Sequence, residues 1–262
     1  MPSGKVLSML RFALPIARYT LLEAMRNRLM WLLLVALAAA LAAAAFLGQV
    51  SITEANRIQA SVIAAGMRFF AVFLVAAFVV TGIVRELNDK VLEFLLAKPM
   101  PRASYLLGKL LGFAGLAAVV AAVASLPLWL FGVPAGVAVW TLSLFLELMI
   151  VAGAALFCVL TLNQVVTALA AVLGFYLLAR SMAAVQIISG AAASATWSDR
   201  ATGWVVEGIA AVLPAFDRMT DAAWILDGPS GAALGTTVVA QALAYVVLLG
   251  AAALFDLYRQ NF

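Results

Sequence analysis

The 262-residue sequence has no histidine and a single cysteine, and only 11% of its side chains are charged. Each scarcity excludes something. Without histidine there is no imidazole general base, proton relay or metal ligand. A histidine-held metal or haem site is therefore ruled out, and no metal centre is expected. The lone cysteine, Cys158, lies in an apolar run, allows no intramolecular disulfide and fits a small buried hydrophobe. Soluble domains carry about a quarter charged residues. This chain has less than half that share, too little to cover a surface facing water.

What is present is apolar: 66% of residues are hydrophobic, and the mean hydropathy is +1.13. Uncharged runs recur at roughly 20 residues, the length that crosses about 30 Å of hydrocarbon as a helix. The short alternating segments of a membrane barrel are missing. The expected fold is an all-α polytopic membrane protein, one domain over 1–262, with six transmembrane helices. The spans are read at Leu29–Leu47, Val62–Val84 (with Arg68 near its outer end), Leu110–Leu130, Val137–Leu160, Val165–Ile188 and Leu234–Leu254. Pro134 and its glycine neighbours split the long run after Lys109 into a hairpin, and Thr161–Gln164 makes a polar turn. The segment before Leu29 is too long for the n-region of a signal peptide.

Lysine and arginine are unevenly placed. Lys5, Arg11, Arg18, Arg26, Arg28, Arg85, Lys90, Lys98, Arg102, Lys109 and Arg259 fall on one side of these spans, against Arg57, Arg68, Arg180, Arg200 and Arg218 towards the other. The bias puts both termini in the cytoplasm, and the expected location is a bacterial inner membrane. Residues 1–28 read as a basic amphipathic helix lying along the cytoplasmic leaflet, with Leu10, Ala13, Leu14, Ala17, Leu21 and Met25 on its apolar face. Pro15 is expected in its first turn or at a kink. The external connection, 189–233, holds Asp199, Glu207, Asp217, Asp221 and Asp227. It also holds two short helical stretches, Trp204–Leu213 and Ala215–Leu226, expected to lie half-sunk in the outer leaflet with Trp197, Trp204 and Trp224 at headgroup depth.

Eight charged residues crowd into Arg85–Lys109, "RELNDKVLEFLLAKPMPRASYLLGK". Leu87, Val91, Phe94 and Leu95 form one helical stripe and Glu86, Lys90 and Glu93 another face; Pro99 and Pro101 end the helix. The order of Arg85-Glu86, Leu92 to Leu96, Pro99, Arg102 and Leu107-Gly108-Lys109 resembles the signature region of ABC-type-2 exporter permeases. The N-terminal "ARYTLLEAMRNRLMW" (Ala17–Trp31) and the six-span layout are similar to that family as well. Asn88-Asp89-Lys90-Val91 departs from it where the family has Gly-Thr. The resemblance implies a cytoplasmic coupling helix between spans 2 and 3, docking on a separate ATPase subunit. Glu86, Leu87, Lys90, Val91, Glu93, Phe94, Leu95, Leu96, Pro99 and Arg102 would carry the contact. It also implies a second permease copy, membrane lipid around the pair, and ATP with magnesium on the partner rather than on this chain. The chain agrees in lacking the Gly-x-x-x-x-Gly-Lys-Ser/Thr phosphate loop, since Leu110 follows Gly108-Lys109. No nucleic-acid partner is expected, and no nucleophile–base arrangement suggests an enzyme.

Two charges lie deep in apolar runs, Glu147 in the fourth span and Arg180 in the fifth. Both sit roughly 20 Å from the cytoplasmic end at about 1.5 Å rise per residue, so adjacent spans can pair them, as a register lock or a pathway element, the alternative being an Arg180 that snorkels outward. The function expected is a permease subunit of an ATP-driven exporter. The alternative is a mechanotransmitter that acts on an external or periplasmic partner and carries no substrate. Gly108 and Gly112 form a Gly-x-x-x-Gly step expected to serve ordinary close packing.

Overall fold

The computed structural model describes residues 3–50, 55–89, 101–192, 197–219, 223–228 and 235–259. All regular structure among them is helical. In chain order the helices are α1 (Ser3–Arg26), α2 (Leu29–Val50), α3 (Ala55–Asn88), α4 (Arg102–Ser125), α5 (Pro134–Leu162), α6 (Val165–Ala192), α7 (Trp197–Val212), α8 (Ala223–Asp227) and α9 (Thr236–Arg259). Short 3-10 turns follow at Leu126–Leu130, after α4, and at Phe216–Met219, before α8. Six helices are long and apolar enough to cross a membrane: α2, α3, α4, α5, α6 and α9. An even number of crossings brings the chain back to its starting side, here called the terminal side.

Local chemistry sets the ends. Pro101 stands extended ahead of α4, and its carbonyl accepts from the Ser104 amide at 2.8 Å. Pro134 occupies the first turn of α5 behind an extended Val133, where a missing N–H costs nothing. Asn163 ends α5 in the left-handed region (φ 55°) with its N–H on the Val159 carbonyl at 2.9 Å, which makes the tight turn into α6.

α5 is the most enclosed span and α2 the least. α3, α4, α6 and α9 all pack on α5. Lipid offers no hydrophobic drive between spans, so close contact depends on small residues. α5 supplies Gly153 against Leu249 of α9. The same device holds α1. A Cβ on Gly108 would sit 2.8 Å from Ile16 Cβ, and one on Gly112 would sit 2.7 Å from Thr20 Cβ. The Gly-x-x-x-Gly step of α4 is thus covered by α1 of its own chain.

Several expectations are revised. Of the two placements expected for Pro15, the first turn is excluded and the interior one remains: it lies inside α1 and denies the Arg11 carbonyl its helical donor. Ala13, Thr20 and Ala24 are the buried stripe of α1, while Leu14 and Met25 are exposed; packing on α4 selects small residues. α3 begins at Ala55, not Val62, because its polar first turns are absorbed: Gln59 Nε2 donates to the Ala44 carbonyl of α2 at 2.9 Å. At 34 residues and about 1.5 Å each, α3 is roughly 50 Å long, well over the hydrocarbon thickness. The second external helix is broken into a 3-10 turn and the five-residue α8. Trp204 is exposed, as a headgroup-level residue would be, but Trp224 is buried.

Gly112→Ala should cost about 1–3 kcal/mol, the usual range for overpacking, and lower the thermal midpoint of the purified protein. Gly66→Ala, with open space around it, should leave the midpoint unchanged or raise it; thermal unfolding in one detergent compares the two.

Candidate functional site

The deepest polar feature is an ion cluster shared by α3, α5 and α6. On α5, Trp140, Ser143 and Glu147 are spaced by three and four residues and so share one face. Arg68 of α3 meets that face. Its Nη1 is ion-paired with Glu147 Oε2, its Nη2 donates to Ser143 Oγ at 3.0 Å, and its Cζ lies 5.0 Å from the Trp140 ring centroid. Ser143 passes its own proton to the Trp140 carbonyl at 2.8 Å. Arg68 is 1% exposed and Glu147 0%.

Arg180 of α6 approaches from the other side, its Nη1 3.8 Å from Glu147 Oε1, with 35% of its side chain exposed. Two guanidinium groups therefore face one carboxylate, the nearer fully buried and the farther partly open. Among the described residues Glu147 Oε1 accepts no hydrogen bond and Arg68 Nε donates none. Tyr176 of α6 is buried within electrostatic reach of all three charges.

The principal partner of Glu147 is thus Arg68, a residue the sequence pattern placed near a span end. The signal that would have found it is the helical character of Ala55–Ala60, which shifts Arg68 more than three turns into α3. A charge so placed is costly unless paired. The arrangement ties three spans at one level and fixes their register.

On the terminal side the structure describes Glu86, Leu87 and Arg102 of the proposed ATPase contact. Lys90, Val91, Glu93, Phe94, Leu95, Leu96 and Pro99 lie outside the described residues. Glu86 faces inward. Tyr105 donates to its Oε2 at 2.6 Å, and buried Lys109 is ion-paired with its Oε1. Leu87 packs against the core. Arg102 Nη1 donates to the Leu257 carbonyl at 2.6 Å, satisfying one of the open acceptors at the end of α9, and its Cζ lies 5.8 Å from the Tyr258 ring centroid. Both ends of the 90–100 segment are therefore fastened to the bundle.

The opposite side has fastenings of its own. The Val133 amide donates to the Ile225 carbonyl at 2.7 Å, and Gly136 lies so close under the Trp224 carbonyl that any Cβ would collide with it. Arg57 of α3 pairs with Asp227 at 2.8 Å. α8 thus seals the α4–α5 hairpin.

Removing one member of a buried ion pair leaves the other uncompensated, at a cost of about 3–5 kcal/mol, whereas replacing both with apolar groups is often close to neutral. Glu147→Gln should therefore lower the thermal midpoint far more than Arg180→Gln. Arg68→Met with Glu147→Met together should recover most of the loss from Arg68→Met alone, which thermal unfolding and expression yield would both register.

A comparison with curated proteins gives no match. The sequence model described as ABC-2 family transporter protein matches residues 36–254, most of the chain and all of its six-span bundle except the start of α2 and the last residues of α9. The chain belongs to the ABC-2 transporter family, as a multi-pass membrane permease subunit of an ABC transporter.

Proposed function

We propose that this chain is the permease subunit of an ATP-driven exporter. It works as a dimer, with both termini in the cytoplasm, and is driven by a separate ATPase that docks on the helix around residues 86–97. ATP and magnesium belong to that ATPase. The observation that carries the proposal is the fastening of the segment at both ends, by Glu86 to Tyr105 and Lys109 and by Arg102 to the end of α9. A displacement delivered to those anchors would reach α3, α4 and α9 through them. Leu87 anchors the start of the amphipathic stripe to the bundle core; Val91, Phe94 and Leu95 continue it as the surface the partner would bury, and Lys90 and Glu93 would set its register.

The ion cluster supports the same function. α3 receives the displacement at Glu86 and is tied to α5 by Arg68 and Glu147, and α6 meets the same carboxylate through Arg180, so the three spans would move as one body. Between two such bodies the pathway opens and closes.

A second function draws on the opposite side. α8 is held to the α4–α5 hairpin by a backbone hydrogen bond and to α3 by Arg57–Asp227. The same displacement would reach external residues, and a mechanotransmitter acting on an external or periplasmic protein would use that route without carrying substrate.

Purification from the native membrane in mild detergent tests the coupling. The wild-type chain should bring down an ATPase with measurable ATP hydrolysis. Glu93→Arg with Leu95→Asp should reduce the bound ATPase at least roughly tenfold, as expected when hot-spot contacts worth more than 1.4 kcal/mol are lost, with the thermal midpoint unchanged. A folded wild-type chain with no ATPase contradicts the proposal.

A further inference from the structure

The elbow between α1 and α2 carries a charged cleft that the coupling scheme does not use. Only Asn27 and Arg28 separate the two helices. The turn is closed by the Asn27 amide on the Ala24 carbonyl at 3.2 Å and the Met30 amide on the Asn27 carbonyl at 3.1 Å. Beneath it opens a cleft of about 530 Å³, lined by Tyr19, Leu22, Glu23, Arg26, Asn27, Arg28 and Arg85. Arg85 Nη2 is ion-paired with Glu23, so those two charges offset each other. Arg26 and Arg28 remain. Neither has a carboxylate within 4.0 Å among the described residues, and both are exposed. The cleft thus holds a net charge of +2 (three arginines against one glutamate).

Its depth is set by its neighbours. The apolar span begins at Met30, two residues after Arg28, and Trp31 is 71% exposed, an indole at the level where tryptophan anchors spans to headgroups. Leu22 and Tyr19 are exposed on the same wall. A site with two uncompensated guanidinium groups at headgroup depth and apolar side chains beside it suits a ligand that is anionic at one end and hydrocarbon at the other.

We propose that this cleft binds an anionic phospholipid of the terminal-side leaflet, with the lipid phosphate held by Arg26 and Arg28. Guanidinium groups favour phosphate through paired N–H donors. A basic pocket between helices at a membrane surface attracts such headgroups. Leu22 and Tyr19 favour a lipid over a free phosphate, which would gain nothing from an apolar wall.

The test uses the full chain in mild detergent with a mixture of phosphatidylglycerol and phosphatidylethanolamine, and reads retained lipid by native mass spectrometry. Wild type should retain phosphatidylglycerol in preference. Arg26→Gln with Arg28→Gln should retain roughly thirtyfold less, from about 1 kcal/mol for each of the two basic residues removed. Arg11→Gln with Arg18→Gln removes the same charge outside the cleft and should retain as much as wild type. A thermal midpoint equal to that of wild type establishes that each variant is folded, and Arg26→Lys with Arg28→Lys should restore part of the retention. Equal loss in both glutamine variants would overturn the proposal in favour of diffuse attraction, and equal retention in all would overturn it outright. Displacement of the lipid by inorganic phosphate alone would assign the site to a soluble anion. Loss of bound ATPase from the Arg26 and Arg28 variant with lipid retention unchanged would assign it to a protein contact. Either result counts against the lipid.

Discussion

The contact on which the rest depends is the ion pair between Arg68 and Glu147. Both side chains are out of reach of solvent within the bundle, where an uncompensated charge is expensive. Each charge therefore demands the other, and with it a single register of α3 against α5. Ser143 and the Trp140 ring complete the environment of the guanidinium, and Arg180 adds a more distant, partly open charge from α6. A helix pair held only by alanine and leucine contacts has many nearly equivalent sliding positions. A charge pair at mid-depth selects one of them.

Two further sets of contacts convert that register into a mechanical frame. Near the terminal side, Glu86 binds α4 through Tyr105 and Lys109, and Arg102 holds the end of α9. At the other end the α4–α5 hairpin is capped by α8, which also reaches α3 through Asp227. α3 takes part in all three levels. A helix of its length, fastened at its ends and its middle, is suited to carrying displacement from one side of the membrane to the other. That is the physical content of assigning the 86–97 segment to an ATPase contact, and it serves an exporter and a mechanotransmitter alike.

Much of the architecture was legible because lipid imposes strict rules. Apolar runs near 20 residues gave the six spans, Pro134 with its glycines gave the hairpin, and Asn163 marked the turn that proved to need a left-handed residue. The misjudged parts share a cause: polar residues whose partners are distant in sequence. Asn56, Arg57 and Gln59 resemble a loop until Gln59 finds the Ala44 carbonyl, and misplacing that helix start hid Arg68 from Glu147. Trp224 resembles a headgroup anchor, yet it is buried beside the close approach of Gly136. Gly108 and Gly112 announced a close contact, but only the fold could name α1 as the partner.

The central claim is that α3, α5 and α6 move as one body when the terminal-side segment is displaced. Spin labels at Asn88, on the terminal-side end of α3, and Leu162, at the same end of α5, report on it directly by pulsed electron resonance in the assembled complex. The distance between them should stay the same with and without bound ATP. A change comparable to a helical turn, about 5.4 Å, would mean that α3 slides along α5 and that the Arg68–Glu147 contact does not hold the frame together.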